Sequence, residues 1–177
     1  MNVLFTEQQI QQRIGELGKQ ISADYAGSSV TIVGILSGCL MVMADLLRRT
    51  SIPVRTAFIS ASSYGGTRTS PGQLTINDSM LTDLQGRDIL LLDDIYDTGQ
   101  TMQKVVVHLQ QCQPASVATA AMLWKPDRNQ TGMEPDYFGF RIPDKFVVGY
   151  GLDYNERFRE LPWIGIPDEH DLQQAAE

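Results

Sequence analysis

Apolar residues near the start of the chain recur at Ile10, Ile14, Leu17 and Ile21. That is one face of a 3.6-residue period, and Thr6 followed three residues later by Gln9 has the form of a capping box, so the spacing predicts an amphipathic helix from Thr6. The pattern then changes to short continuous apolar runs. VTIVGIL (Val30 to Leu36) reads as a buried strand, Ser37-Gly38 as a turn, and Cys39 to Arg49 as a short helix with basic residues in its last turn. VRTAFIS (Val54 to Ser60) is a second strand, and QLTIND (Gln73 to Asp78) is a short alternating one. RDILLLDD (Arg87 to Asp94) is an apolar run that stops at two acidic residues, the pattern of a central strand. Met102, Val105, Val106, Leu109 and Cys112 trace a further helical face that Pro114 ends. SVATAAMLW (Ser116 to Trp124) and KFVVGYG (Lys145 to Gly151) complete the strands. Strands alternating with helices predict an α/β fold, a mostly parallel twisted sheet flanked by helices. The Ser, Gly, Thr and Pro-rich stretch Ala61 to Gly72 reads as a mobile or functional loop, and the polar end from Pro167 to Glu177 as a frayed tail.

Composition narrows the class. The 177 residues, 42% hydrophobic and 20% charged, suit one domain with a sizeable core and exclude whole-chain disorder. A formal net charge of -7 works against attraction to nucleic acid or to an anionic membrane surface. No apolar run approaches a membrane span and no basic start precedes an apolar leader, so the expected location is cytoplasmic. Cys39 and Cys112 lie in apolar stretches without metal-ligand spacing and read as core thiols.

In an open parallel sheet, ligands bind beyond the carboxyl ends of the strands. Those ends carry Ser37-Gly38, the run Asp93-Asp94-Ile95-Tyr96-Asp97-Thr98-Gly99-Gln100-Thr101, Lys125, and Gly149 to Asp153. Asp97 to Thr101 has the composition of an anion cradle, with a close-approach glycine, two hydroxyls and a helix start whose N–H groups are unpaired. Taken alone, an ordinary N-cap accounts for Asp97-Thr98-Gly99 equally well. Asp93 and Asp94 alongside would repel Asp97 unless a cation, sugar hydroxyls or a proton in transfer lay between them. The spacings of a Walker A loop and of a dinucleotide-binding glycine motif are absent. A receiver domain with acidic residues around magnesium fits the strand ends but leaves Lys125 and the loop around Ser63 and Tyr64 without a role.

LLLDDIYDTGQTM (Leu90 to Met102) resembles the phosphoribosyl-pyrophosphate motif of the type I phosphoribosyltransferases. IPDKFVVGYGLDYNERFRELPWIG (Ile142 to Gly165) is similar to the purine-binding end of the hypoxanthine-guanine phosphoribosyltransferases, with GILSGCLMVMADLL, SSYGG and WKPDRNQTGMEPDYFGF in the family's order. The resemblance covers Val30 to Gly165. It implies a core over about residues 30–141 and a small hood from about 1–29 and 142–177, within a single domain of residues 1–177. It also implies transfer of the 5-phosphoribosyl group from phosphoribosyl pyrophosphate to N9 of a 6-oxopurine, hypoxanthine or guanine, with Mg2+, in a homodimer or homotetramer.

The roles implied are specific. Asp93 and Asp94 correspond to the acidic pair that accepts the ribose hydroxyls and helps hold magnesium, while favouring positive charge on the sugar. Asp97 matches the general base for purine N7, and Thr98, Gly99, Gln100 and Thr101 the 5′-phosphate loop. Lys125 stands where a lysine meets the 6-oxygen, Phe146 where a ring stacks on the base, and Val147 where main-chain groups read its edge. Asp153 matches the carboxylate at pyrophosphate-bound magnesium, and Arg159 the guanidinium that neutralises the leaving pyrophosphate. Ser37 and Gly38 offer backbone N–H groups to pyrophosphate, and Ser63 and Tyr64 shield the reacting centre. The family carries Lys where this chain has Ser37 and Gln100, which removes two cations beside phosphate. A non-catalytic sensor of nucleotide or phosphoribosyl pyrophosphate on the same fold is the alternative those losses support.

Overall fold

The computed structural model describes residues 1–64 and 73–175, with the side chains of residues 62–64, 73 and 74 outside the description. Its centre is a six-stranded sheet built from β2 (Val30–Leu36), β3 (Val54–Tyr64), β4 (Gln73–Asn77), β5 (Asp88–Tyr96), β6 (Ser116–Trp124) and β7 (Tyr137–Arg141). The spatial order is β4-β3-β2-β5-β6-β7, parallel throughout except that β4 returns antiparallel on β3. Strand pleating sends Ile32, Leu90 and Leu92 to one face and Val33, Ile35, Ile89 and Leu91 to the other. Against the first face pack α1 (Glu7–Asp24) and α2 (Leu40–Leu47), and against the second α3 (Gln100–Gln110). The stripe on α1 seats Ile10, Ile14 and Ile21 at 0% exposure, each contributing about 1.5–3 kcal/mol of burial. The Thr6–Gln9 capping box forms as predicted.

Several boundaries differ from the sequence-based reading. Helix α2 is shorter than Cys39 to Arg49, and Arg48 caps it rather than lying in its last turn. Strand β3 runs on to Tyr64 because β4 pairs with it through Tyr64↔Gln73, so Ala61 to Tyr64 are ladder, not loop. The rest of that expected loop, residues 65–72, lies outside the described residues. Strand β5 continues past both aspartates, since its ladder to β6 extends to Tyr96↔Trp124. Lys145 to Gly151 is not a strand, because Gly149, Tyr150 and Gly151 all have positive φ (97°, 50° and 99°) and extended pairing requires negative φ. The edge place belongs to β7 instead. A separate two-stranded antiparallel sheet joins β1 (Asn2–Phe5) to β8 (Ile164–Ile166). The polar tail is ordered as far as described, with α4 (Glu169–Gln174) closed by an Asp168 capping box.

Candidate functional site

The parallel strands β2, β5 and β6 all end on the same edge of the sheet. There, Gly38, Asp93, Asp94, Asp97, Thr98, Gly99, Thr101, Asp153 and Arg159 line one cavity of about 300 Å³. Two glycines make the geometry possible. A Cβ on Gly38 would overlap the Asp94 carboxylate, so the β2 turn can lie against that side chain only as glycine. Gly99 is the N-cap of α3 with φ +81°, a left-handed conformation that glycine takes without strain, and no side chain caps this helix start. The ordinary-cap reading of Asp97 therefore fails, and the first N–H groups of α3 stay open toward the cavity, with Thr98 Oγ1 accepting only a long bond from Gln100 N at 3.4 Å.

The acidic pair sits on the floor. Asp94 N donates to Asp93 Oδ1 at 2.9 Å. Desolvation and the neighbouring Asp94 carboxylate push Asp93 well above the usual carboxylate range. Desolvation also raises Asp94, although Arg159 and local hydrogen bonds oppose it. Two adjacent carboxylates so placed are a hard-oxygen donor pair that a divalent cation would relieve, which fits magnesium. Asp153 is engaged otherwise: its Oδ1 pairs with Arg159 Nη2 at 2.7 Å and its Oδ2 accepts from Glu156 N at 2.9 Å. Arg159 also donates to Gly151 O at 2.5 Å. Asp93, Asp94 and Asp153 do not form a trio within reach of one ion. The group of that kind among the described residues is Asp168, His170 and Asp171, far along the chain at the start of α4. Magnesium usually takes one or two carboxylates and completes its shell with water and phosphate oxygens, so a pair is sufficient.

The base-contacting candidates lie beside the cavity. Lys125 is 6% exposed, which a solvated surface lysine would not be, and its Nζ stands 3.6 Å from both Asp97 and Asp144. Phe146 is half exposed, edge-on to Tyr154 at 5.8 Å between centroids, and Val147 is buried in the core. Ser37 is exposed after a cis Leu36–Ser37 peptide, and Gln100 is exposed with its amide donating to Gln130 at 2.7 Å. Ser63 and Tyr64 end β3, and their side chains lie outside the described residues.

Three residues escaped the sequence reading. Tyr96 points its hydroxyl to Met133 O (2.9 Å) and Thr131 (3.1 Å), pinning the 129–133 segment behind the Asp97 turn. Arg128 and Asp144 contact Asp97 and Lys125 directly. Arg128 lies three residues after Lys125, where a single 3-10 turn, Pro126–Arg128, brings it back, a spacing that was visible; nothing in the sequence pointed to Asp144.

The model of the phosphoribosyl transferase domain matches residues 3–155. Among similar proteins, the hypoxanthine phosphoribosyltransferase of Salmonella typhimurium is 41% identical over 93% of this chain and 94% of its own. The hypoxanthine-guanine phosphoribosyltransferase of Bacillus subtilis is 38% identical over 93% and 91%. The crystal structure of a hypoxanthine phosphoribosyltransferase from Staphylococcus aureus superposes with a TM-score of 0.90 at 39% identity, covering 96% of this chain and 92% of that one.

Proposed function

The chain belongs to the phosphoribosyltransferase family, and from that premise we propose how its cavity serves a purine salvage enzyme. The reaction is transfer of the 5-phosphoribosyl group from phosphoribosyl pyrophosphate to N9 of hypoxanthine or guanine, releasing pyrophosphate and the nucleoside 5′-monophosphate. The sensor alternative finds no support among relatives that match over more than nine-tenths of both chains and carry enzyme names.

One observation carries the mechanism: two desolvated carboxylates, an open helix N-terminus and an arginine line one cavity at the strand ends. The N–H groups at the start of α3, with Thr98 and Thr101, hold the 5′-phosphate. Asp93 and Asp94 accept the ribose hydroxyls, and with a cation beside them to keep them ionised their charge favours the positive C1′ that develops as pyrophosphate departs. Arg159, oriented by Asp153 and Gly151 O, neutralises the leaving group. Asp97 takes the proton from N7 as N9 bonds to C1′. Lys125 donates to the 6-oxygen and Phe146 covers a face of the base. Asp93 and Asp94 would help hold magnesium, with Asp153 contacting pyrophosphate-bound magnesium, and the ion would supply positive charge against the phosphates.

With Ser37 and Gln100 uncharged, phosphate binding relies on backbone N–H groups, Thr98, Thr101 and Arg159. The reading includes one domain over residues 1–177, whose terminal segments form a hood. N- and C-terminal residues Ile10 and Ile164 share a core with the main sheet, in support of it. It also includes a homodimer or homotetramer, which sedimentation tests, and a cytoplasmic setting suited to two free cysteines. No described helix is long and apolar enough to cross a membrane. The deciding assay is pyrophosphate release from phosphoribosyl pyrophosphate with hypoxanthine or guanine, with and without magnesium; no base-dependent release would overturn the reading.

A further inference from the structure

Three segments distant in sequence meet beside the cavity in a closed ring of alternating charge. Asp97 Oδ1 faces Arg128 Nε at 3.0 Å and its Oδ2 faces Lys125 Nζ at 3.6 Å. Asp144 divides its oxygens the same way, Oδ1 to Lys125 Nζ at 3.6 Å and Oδ2 to Arg128 Nη1 at 3.4 Å. Each carboxylate is therefore bridged by two cations, which restrains both its position and the rotation of its plane. The backbone supports the same arrangement, since Lys125 N donates to Tyr96 O (2.9 Å) and Arg128 N to Lys125 O (3.1 Å). Ion pairs as exposed as Arg128 (44%) and Asp144 (54%) add little to stability, so the ring is a poor stabilising device. Its effect is geometric. Lys125 Nζ, 3.6 Å from both carboxylates, is held between them by charge rather than by hydrogen bonds, and its donors stay available to a further acceptor.

We propose that Arg128 and Asp144 are positioning residues for the base, closing a ring that holds Asp97 and Lys125 at a set spacing before the purine enters. The inference rests on the purine reading above. Asp144 also precedes Lys145, Phe146 and Val147, so the ring ties the segment that would cover and read the base to the two side chains that would answer N7 and the 6-oxygen. The 5′-phosphate loop and the acidic pair take no part in it, and the consequences should fall on the base rather than on phosphoribosyl pyrophosphate.

The test is steady-state kinetics on the full chain for the parent, Arg128→Ala, Asp144→Ala, the double variant and Arg128→Lys. Each alanine variant is expected to lower kcat/KM for hypoxanthine roughly 10- to 100-fold, the scale of an ångström of misplacement, with KM for hypoxanthine raised. KM for phosphoribosyl pyrophosphate and the melting temperature should change little. The double variant should be no worse than the more impaired single, because one device is broken once. Arg128→Lys, which keeps the charge, should regain part of the loss. The proposal is overturned if hypoxanthine KM is unmoved or improves in either single variant. It also falls if the losses multiply in the double, if both KM values rise together, or if Arg128→Lys is as impaired as Arg128→Ala. A parent that fails to use any 6-oxopurine overturns the functional reading instead.

Discussion

Replacing Lys125 with alanine separates a base-reading lysine from a buried structural one. The side chain is 8% exposed and already bound to two carboxylates, so a bound base would meet an ammonium with little water around it. A charge-assisted hydrogen bond to a 6-oxo group is worth about 1.5–3 kcal/mol. At about 1.4 kcal/mol per tenfold, its loss should lower kcat/KM for hypoxanthine and guanine by roughly 10- to 150-fold. Adenine presents an amine at that position, and an ammonium has donors and no acceptor, so the parent opposes donor with donor. A site built around such a polar contact can discriminate by about 10⁴. Removing the ammonium removes the conflict, and adenine use should hold steady or rise. The selectivity ratio therefore shrinks by at least the factor lost on hypoxanthine. Arg128 still bridges Asp97 and Asp144 in the variant, and both carboxylates are partly solvated, so their repulsion should not distort the site. The measurement is kcat/KM for hypoxanthine, guanine and adenine in both proteins. Comparable adenine use by the parent, or full hypoxanthine activity in the variant, would refute the reasoning and leave Lys125 as a member of a charge network only.

Asp97→Asn keeps shape but cannot accept a proton, so kcat should fall by roughly 10²–10⁴ while nucleotide binding, followed by calorimetry, persists; unchanged turnover removes Asp97 from the chemistry. Tyr150→Phe deletes a 2.5 Å bond from the tyrosine hydroxyl to Asp45 Oδ2, and urea unfolding at pH 7 should show a loss of about 1.5–3 kcal/mol. Burial alone would raise Asp45, yet hydrogen bonds from Tyr150, Gln11 and Arg48 outweigh it and hold the carboxyl below its ordinary value. A depressed carboxylate adds stability that is present above its unfolded pKa and lost as pH falls through the folded one, so the Tyr150→Phe deficit should shrink below about pH 4; a deficit that is constant with pH contradicts this. Burial, reinforced by Asp93 and Asp94, pushes the Cys39 thiol up to about 12. Native protein at pH 8 should therefore leave Cys39 unmodified by a maleimide until it is unfolded, as peptide mapping would show; rapid native labelling would mean the β2–α2 corner opens readily.

The elements read correctly from sequence bury either a stripe at helical spacing or an unbroken apolar run. Helices α1 and α3 do the first, and strands β2, β5 and β6, covered on both faces, bury runs of six, four and six residues, so hydropathy alone located them. Strands β1 and β8 are four and three residues long, too short for a pattern to show, and β7 (YFGFR) does not alternate apolar with polar as five-residue β4 (QLTIN) does. Lys145 to Gly151 misled for the opposite reason. Val147, Val148 and Tyr150 are as buried as strand residues, but their burial comes from a chain that doubles back through positive φ, including the non-glycine Tyr150. Apolar composition reports burial, and burial is shared by strands and by packed turns.

The same distinction governs the site. Residues one step beyond a parallel strand can be named from sequence, since topology carries every such end to one edge; Gly38, Asp97 and Thr98 were found in that way. Which charge answers which could not be read so. Asp153 and Arg159 meet because Asn155, Glu156 and Phe158 take positive φ in the five residues between them, and no residue type announces that turn. Asp144 reaches Lys125 only because β6 and the segment after β7 end side by side. A sequence lists its charges in one dimension, and their partners are set by how strand ends converge. Asp97, the proposed base, is therefore nameable as a site residue from its place after a strand, while Arg128 and Asp144, proposed to aim it, are not.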